Sequence, residues 1–341
     1  MTTINAYCTR RELPALAFAH QLVESRDRTD PELLPHLHGF INYVLSRGED
    51  KMTSTKYHLM RHIERVFHHL SFDIDDASFQ NFSDWARQAN AICYLTDGSV
   101  RDPALLTLID ADGKGDDGAQ IPYPLDAVKR KLRSEEQLRN FGVRTLSSLP
   151  PVVGDGEVEC RDAQEVARRA LALFLVTRRA EALGTDREIS VAGLRESSPL
   201  ACEALTPKEQ AFLDAAVPSQ QQITDFNWRY EALNVLLWSL NRITQLRPPL
   251  APCNVEEIAK LMVGIDEKEF IGDATLRWSS DILDALDLVY RLHWATRQSR
   301  LDGKPSGAPP YAPSIAQERH FALNWLVRFE NADWDDVDTP T

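Results

Sequence analysis

The residues best suited to chemistry lie in a predicted helix of the C-terminal half of the chain. The stretch "FNWRYEALNVLLWSLNRI", residues 226–243, is mostly apolar but carries Arg229, Glu231 and Asn234. A carboxylate such as Glu231 can serve as a general base when its surroundings bring its pKa near the working pH. Buried without partners, each polar group would cost about 1–3 kcal/mol. We therefore expect these groups to line a pocket or to bind one another.

Two later predicted helices, residues 280–301 and 317–329, supply possible partners. His293 and Arg297 continue an apolar stripe of one helix. On the same helix, Asp287 and Arg291 have the i, i+4 spacing of an ion pair. One hypothesis is an uncharacterised enzyme with a polar pocket, and the other is a hydrogen-bonded network that fixes helix register. No spacing matches a known catalytic signature, so we favour the network and predict no catalytic residue. The candidates for either role are Arg229, Glu231, Asn234, Arg291, His293, Arg297, Glu318, His320 and Asn324.

The acidic segment "ENADWDDVDTPT" is a candidate interface. A run of carboxylates is typical of a solvated end, but here it surrounds Trp334, which could pin the segment to the helical domain. Acidic groups beside an aromatic anchor suit recognition of a basic protein surface, because charge speeds the encounter and the aromatic ring supplies burial. The predicted interface residues are Asp333, Trp334, Asp335, Asp336 and Asp338.

Metal and cofactor motifs are missing from the sequence. Seven of the nine histidines precede position 70, and His58 and His62 have an i, i+4 spacing that could hold zinc. However, Ile63 follows His62, so H-E-x-x-H is absent. The loop 110–121 resembles a calcium loop at its start but ends in Ile121 instead of glutamate. There is no G-x-S-x-G, phosphate-binding loop or dinucleotide fingerprint either, so we predict no metal and no cofactor.

Charge and cysteine content restrict the partners and the compartment. Lys plus Arg is 38 against 51 for Asp plus Glu, a net charge of −13, which repels nucleic acid and anionic membranes and attracts basic proteins. The five cysteines are odd in number and form no C-x-x-C pair, which favours reduced thiols and a cytoplasmic location. No apolar run reaches the length of about 18 residues needed to span a bilayer. The sequence leaves the oligomeric state open.

The elements that must position these groups indicate an α+β protein. Short apolar runs alternate with segments of helical periodicity through the first part, which predicts a mixed α/β domain over residues 1–150. The predicted strands are 4–8, 37–46, 70–75, 91–95 and 105–109, and the predicted helices are 14–25, 55–69, 77–89 and 125–140.

The remainder predicts a linker and a helical domain. Paired prolines and two glycines lie near residues 151–160, which we assign as the linker, and residues 161–341 carry only helical patterns. One helix ends at Gly184. N-terminal caps are predicted at Thr206, Asn254 and Ser314, each with Glu or Gln three residues later.

Four segments in order resemble the domain-of-unknown-function 4272 family. They are "WRYEALNVLLWSL" (228–240), "ILDALDLVYRLHWATR" (282–297), "ERHFALNWL" (318–326) and "WDDVDT" (334–339). The resemblance covers the chain from about residue 162 onward. It implies a helical fold and no established activity, so it assigns no catalytic residue.

The chain is also similar to immunity proteins encoded beside type VI secretion effectors. That similarity implies a non-catalytic cytoplasmic protein that binds and neutralises a cognate toxin. Within this similarity, the candidate toxin is a nuclease. The acidic balance agrees with this hypothesis but does not lead to it.

Overall fold

The computed structural model describes residues 1–185, 187, 189–249, 251–303 and 313–341. An antiparallel sheet with helices comes first, and a mostly helical region follows, so the predicted α+β class is confirmed. The chain forms two compact units. The sheet unit comprises Met1–Val128 and Val153–Glu157, and the helical unit comprises Lys129–Val152 and Val158–Thr341.

The sheet unit is built on six antiparallel strands. They are β1 (Thr2–Cys8), β2 (Gln21–Asp27), β3 (His68–Ile74), β4 (Ala91–Leu95), β5 (Val100–Arg101) and β6 (Thr107–Ile109), in the order β2-β3-β1-β4-β5-β6. β1 lies in the middle, where Ala6 pairs with Leu70 on one side and with Cys93 on the other. Its central position explains why its residues are buried on both faces of the sheet.

Helices cover both faces of the sheet. They are α1 (Leu33–Leu45), α2 (Ser54–Glu64) and α3 (Phe79–Gln88). Because successive strand residues point to opposite faces, Ala6 belongs to a core cluster with Phe82 and Trp85 of α3. Tyr7 belongs to the opposite cluster with Leu37 of α1 and Leu59 of α2. The sheet is thus the middle of three layers.

Two predicted elements of this unit are wrong. Residues 37–46 were expected as a strand but lie largely within α1, whose buried Leu33, Leu37, Phe40 and Val44 have helical spacing. Residues 14–25 were expected as a helix, but β2 begins at Gln21 and pairs with β3. The ladder to β3 supplies backbone hydrogen bonds that local periodicity cannot predict. The sequence also gave no indication of β5.

The helical unit contains ten helices within the described residues. They are α4 (Leu125–Asn140), whose first residues belong to the sheet unit, α5 (Ala163–Gly184), α6 (Val191–Ser197), α7 (Pro199–Glu203), α8 (Pro207–Asp214), α9 (Gln220–Ser239), α10 (Val255–Met262), α11 (Glu267–Gly272), α12 (Ser279–Leu301) and α13 (Pro313–Leu326). α5 packs along α9, and α13 packs against both α9 and α12. Among the described residues, none of the helices combines the length and apolarity needed to traverse a bilayer.

The predicted helix starts were mostly correct. Thr206 forms a complete capping box with Glu209 at α8, and Asn254 accepts the backbone N–H of Glu257 at α10. Ser314 is not a cap, because α13 already includes Pro313. Caps depend on residues three apart, which is why the sequence alone can identify them.

The two units do not coincide with the expected domains 1–150 and 161–341 and the expected linker 151–160. The segment Lys129–Val152 packs with the helical unit. There Arg130 donates from Nε to Asp284 of α12 at 2.9 Å, and Arg133 reaches the same carboxylate at 2.8 Å. These ion pairs, together with a small apolar cluster of Leu138 and Leu292, attach the second part of α4 to α12.

Candidate functional site

Glu231 of α9 forms a buried ion pair with Arg319 of α13. Arg319 donates from Nε to Oε2 of Glu231 at 3.0 Å, and both side chains are 2% exposed. The second carboxylate oxygen accepts the backbone N–H of Cys253 at 2.5 Å. Since both oxygens of Glu231 have partners, this carboxylate is not a free base. The pKa of the Cys253 thiol is raised well above its usual range, mainly by burial and secondly by the charge of the nearby Glu231.

A second ion pair joins the same two helices nearer the start of α9. Arg229 donates from Nη1 to Oε2 of Glu318 at 3.1 Å. Its guanidinium also lies over the ring of Phe321, 4.2 Å from the centroid. Burial raises the pKa of Glu318, while the charge of Arg229 opposes that rise. The guanidinium also lies 5.9 Å from the ring centroid of Trp334, so it has one charged and two aromatic partners.

The predicted pair on α12 forms and is fully buried. Arg291 donates from Nε and Nη2 to the two oxygens of Asp287, at 2.8 and 2.9 Å. Nη2 also donates to the backbone carbonyl of Pro150 at 3.0 Å. Such bidentate geometry is the strongest arrangement available to arginine and a carboxylate. It holds the chain around Pro150 against α12.

The two histidines of the helical unit contact each other. Their Nδ1 atoms lie 3.0 Å apart, and the rings of His293 and His320 are nearly perpendicular at 83°. The pKa of His293 is lowered to about 4 and that of His320 to about 3, in both cases mainly by burial. Both rings are therefore neutral near pH 7, and one Nδ1–H donates to the other Nδ1.

The other predicted polar residues have separate positions. Asn234 is buried within α9. Asn324 donates to the backbone carbonyl of Asp338 at 2.8 Å, and the exposed Arg297 donates to Thr341. The structure thus distributes the nine predicted residues over several distinct contacts. The pocket required for an enzyme would have combined Glu231, Arg291 and the histidines, which instead bind different partners.

The acidic segment is held to the helical unit by Trp334. This residue is 4% exposed, and its ring packs edge-on against Phe321 and Trp325 at 4.9 and 5.0 Å between centroids. Lys208 donates its backbone N–H to Asp335 at 3.2 Å and its Nζ to the Asp335 carbonyl at 2.7 Å. Trp334 is therefore an internal anchor and does not face solvent. The surrounding residues Asp333, Asp336 and Asp338 are exposed, and Asp335 is partly exposed.

Two features of this unit were missed in the sequence. Arg169 of α5 and Glu209 of α8 form a buried ion pair, although the capping role of Glu209 was recognised. No local signal connects two residues 40 positions apart. Trp278, just before α12, is 82% exposed. It lies outside any apolar periodicity, so the sequence could not distinguish it from a tryptophan of the core.

His58 and His62, the pair with metal-ligand spacing, contact different residues of the sheet unit. His62 is fully buried and its Nε2 lies 3.2 Å from the carbonyl of Tyr7, whereas His58 contacts the hydroxyl of Tyr123 at 2.7 Å. Burial lowers the pKa of His62 to about 3. Among the residues that the structure describes, no three His, Cys, Asp or Glu side chains are grouped so that they could hold a metal ion.

Comparison with known proteins identifies a family for most of the helical unit. Residues 130–337 match the family described as "Domain of unknown function (DUF4272)". No curated protein and no solved structure matches the chain. Since the matched region is more than half of the chain, the protein belongs to this family.

Proposed function

We propose that this member of the DUF4272 family is a non-catalytic immunity protein of the cytoplasm, which neutralises a cognate type VI toxin by direct binding. The observation that carries the proposal is the anchored acidic segment, Asp333 to Asp338 (hereafter the acidic tail). Its carboxylates surround a buried tryptophan and face solvent from a fixed backbone.

A fixed acidic surface suits the capture of a basic protein. Because Trp334 and the Lys208 contacts hold the backbone of the acidic tail, little conformational entropy is lost when a partner binds. Negative surface charge also accelerates encounters with a positive partner, and salt weakens that effect. The acidic tail therefore supplies orientation and long-range attraction together.

The same chemistry favours a nuclease as the toxin. A protein that cleaves nucleic acid has a basic surface for the phosphate backbone. Carboxylates in fixed positions can occupy that surface in place of phosphates. Binding there would exclude the substrate without any reaction by the immunity protein.

The internal pairing of charges supports a binding role over catalysis. Glu231, Arg291 and His320 each have a buried partner within the helical unit. A general base needs access to a substrate proton. The exposed carboxylates of the acidic tail, by contrast, are available to a partner.

The test uses the protein encoded beside this one as the binding partner. Asp333→Lys combined with Asp336→Lys should slow association at low salt by about tenfold, because both exposed charges are reversed. The difference should shrink at high salt. Stopped-flow association rates and rescue of cells that express the toxin are the two measurements.

A matched control separates local from global charge. Glu12→Lys with Asp50→Lys makes the same change in net charge on exposed residues of the sheet unit. We expect this control to associate at nearly the wild-type rate. If the neighbouring protein does not bind and rescue fails, the immunity function is wrong. Equal slowing by both double variants would instead remove the acidic tail from the interface.

A further inference from the structure

The helical unit contains a polar cavity whose arginine side chains the proposed function does not use; of its lining, Asp338 alone belongs to the acidic tail. It has a volume of about 240 Å³ and lies beside the C-terminal half of α12. Its lining includes His293, Arg297 and Arg300 of α12, Gln317 of α13, and Asp338 and Thr339 near the chain end. All of these side chains can form hydrogen bonds.

The charges around the cavity are mainly positive. Arg297 and Arg300 are three residues apart, so both guanidinium groups extend from one face of α12. Asp338 is the opposing carboxylate, and its Oδ1 accepts the backbone N–H of Thr339 at 2.7 Å. Arg297 uses Nη1 to bind Thr341, at 3.1 Å from the hydroxyl, which leaves further N–H donors on the same group. The balance favours an anionic ligand.

His293 lines the cavity with a buried imidazole. The side chain is 8% exposed, and its Nδ1 is bound to the fully enclosed His320. When His320 is the donor of that bond, His293 carries its own proton on Nε2 and can offer it to a ligand. The pKa of His293 is lowered to about 4 by burial and then by Arg297 and Arg300, so the ring is neutral at pH 7. The low pKa agrees with a positive potential at this end of α12.

We propose that this cavity binds a small anion with a phosphate group, either inorganic phosphate or a small phosphomonoester. Two guanidinium groups offer pairs of N–H donors that match the oxygens of a phosphate, and with Asp338 opposite them they leave the lining with one net positive charge toward the anion. The imidazole and the Gln317 amide add neutral donors. The volume lies below the range of about 300–1,000 Å³ that is typical for drug-sized ligands, which limits the ligand to a few atoms beyond the phosphate.

The test is calorimetric titration of the full chain with inorganic phosphate at pH 7.5. Wild type should bind with saturation and one site. Arg297→Gln combined with Arg300→Gln should weaken binding at least tenfold, because both charge-assisted donors to the phosphate are lost. Both residues are exposed, so the melting temperature without phosphate should stay near that of wild type.

The control changes two exposed arginines that are outside the cavity lining. Arg144→Gln with Arg168→Gln removes the same charge from the helical unit and should leave phosphate affinity within about twofold of wild type. Three results would overturn the proposal. Wild type could fail to show saturable binding, both double variants could weaken binding equally, or succinate could bind more tightly than phosphate. None of these results depends on the toxin.

Discussion

The two units of the protein differ in how they bury charge, although each uses both arrangements: the sheet unit contains the Arg65–Glu157 ion pair, and Arg179 of the helical unit donates to backbone carbonyls. In the sheet unit, the buried Lys56 is bound by backbone carbonyls, with Nζ 3.0 Å from Leu45 and 2.7 Å from Glu49. In the helical unit, buried carboxylates and guanidinium groups bind one another across helices, as Glu231 does with Arg319. The sheet core is correspondingly formed by aliphatic and aromatic clusters on both faces.

The difference follows from how each architecture satisfies its backbone. Strand ladders pair N–H and C=O groups along the sheet, and the faces can then be apolar. Helices satisfy their own backbone and meet through side chains alone, so polar side chains can set which helices pair and in which register. We infer that register in the helical unit depends on its ion pairs.

The largest expected effect comes from breaking one such pair. Glu231→Gln keeps the side-chain volume but leaves Arg319 as a buried charge without a counterion. The free energy of unfolding of the helical unit should fall by about 3–5 kcal/mol. Urea denaturation followed by tryptophan fluorescence measures this, because six of the seven tryptophans lie in that unit.

A double variant distinguishes a lost charge from lost packing. Glu231→Leu with Arg319→Met replaces the pair by apolar groups and should recover most of the stability. A single variant that costs less than about 1 kcal/mol would contradict a register role for the pair, as would a double variant no better than the single one.

Acid should weaken the helical unit through its buried histidines. The folded pKa of His320, about 3, lies below the unfolded value of about 6.5. Below pH 6.5 the unfolded chain binds a proton that the folded chain does not. Stability is therefore full above pH 6.5 and falls as pH decreases, by about 1.4 kcal/mol per pH unit for each such histidine. Urea unfolding at pH 7.5, 6.5 and 5.5 measures the slope.

His320→Gln provides the comparison for that slope. The variant cannot bind the proton in either state, so its stability should change less between pH 6.5 and 5.5 by about 1 kcal/mol, because the unfolded histidine is already half protonated at pH 6.5. Equal slopes for wild type and variant would show that His320 is already protonated in the folded protein.

The sheet unit should tolerate a conservative core change far better. Ile92 is fully buried in β4, and Ile92→Val removes one methylene without leaving a charge unpaired. We expect a loss of about 0.5–1.5 kcal/mol. Hydrogen exchange of the β1 and β4 amides measures this locally. A loss as large as that of Glu231→Gln would abolish the contrast between the units.

Local patterns in the sequence were sufficient for most elements but not for partners. The bounds of α4 and β4 and the caps of α8 and α10 follow from residues a few positions apart. The strand prediction at residues 37–46 is wrong because a short apolar run fits either period, although Leu37, Phe40 and Val44 already have helical spacing. Even a correct helix would not have revealed which groups meet.

The candidate site shows the same limit. Glu231 stood out because a carboxylate in an apolar helix requires a partner, yet Arg319 lies 88 positions away. Trp334 stood out as an aromatic residue among carboxylates, but the sequence could not distinguish an anchor for the protein itself from one for a partner. Long-range packing decided both outcomes.

The order in which the chain enters its two units has a consequence for synthesis and gene exchange. The sheet unit needs Val153–Glu157, where Glu157 accepts from Arg65 at 3.3 Å, yet the intervening Lys129–Val152 belongs elsewhere. A ribosome must therefore release that insert before the sheet unit can be completed. Any single cut leaves part of one unit on the wrong fragment, so the two units cannot be exchanged as separate genetic cassettes.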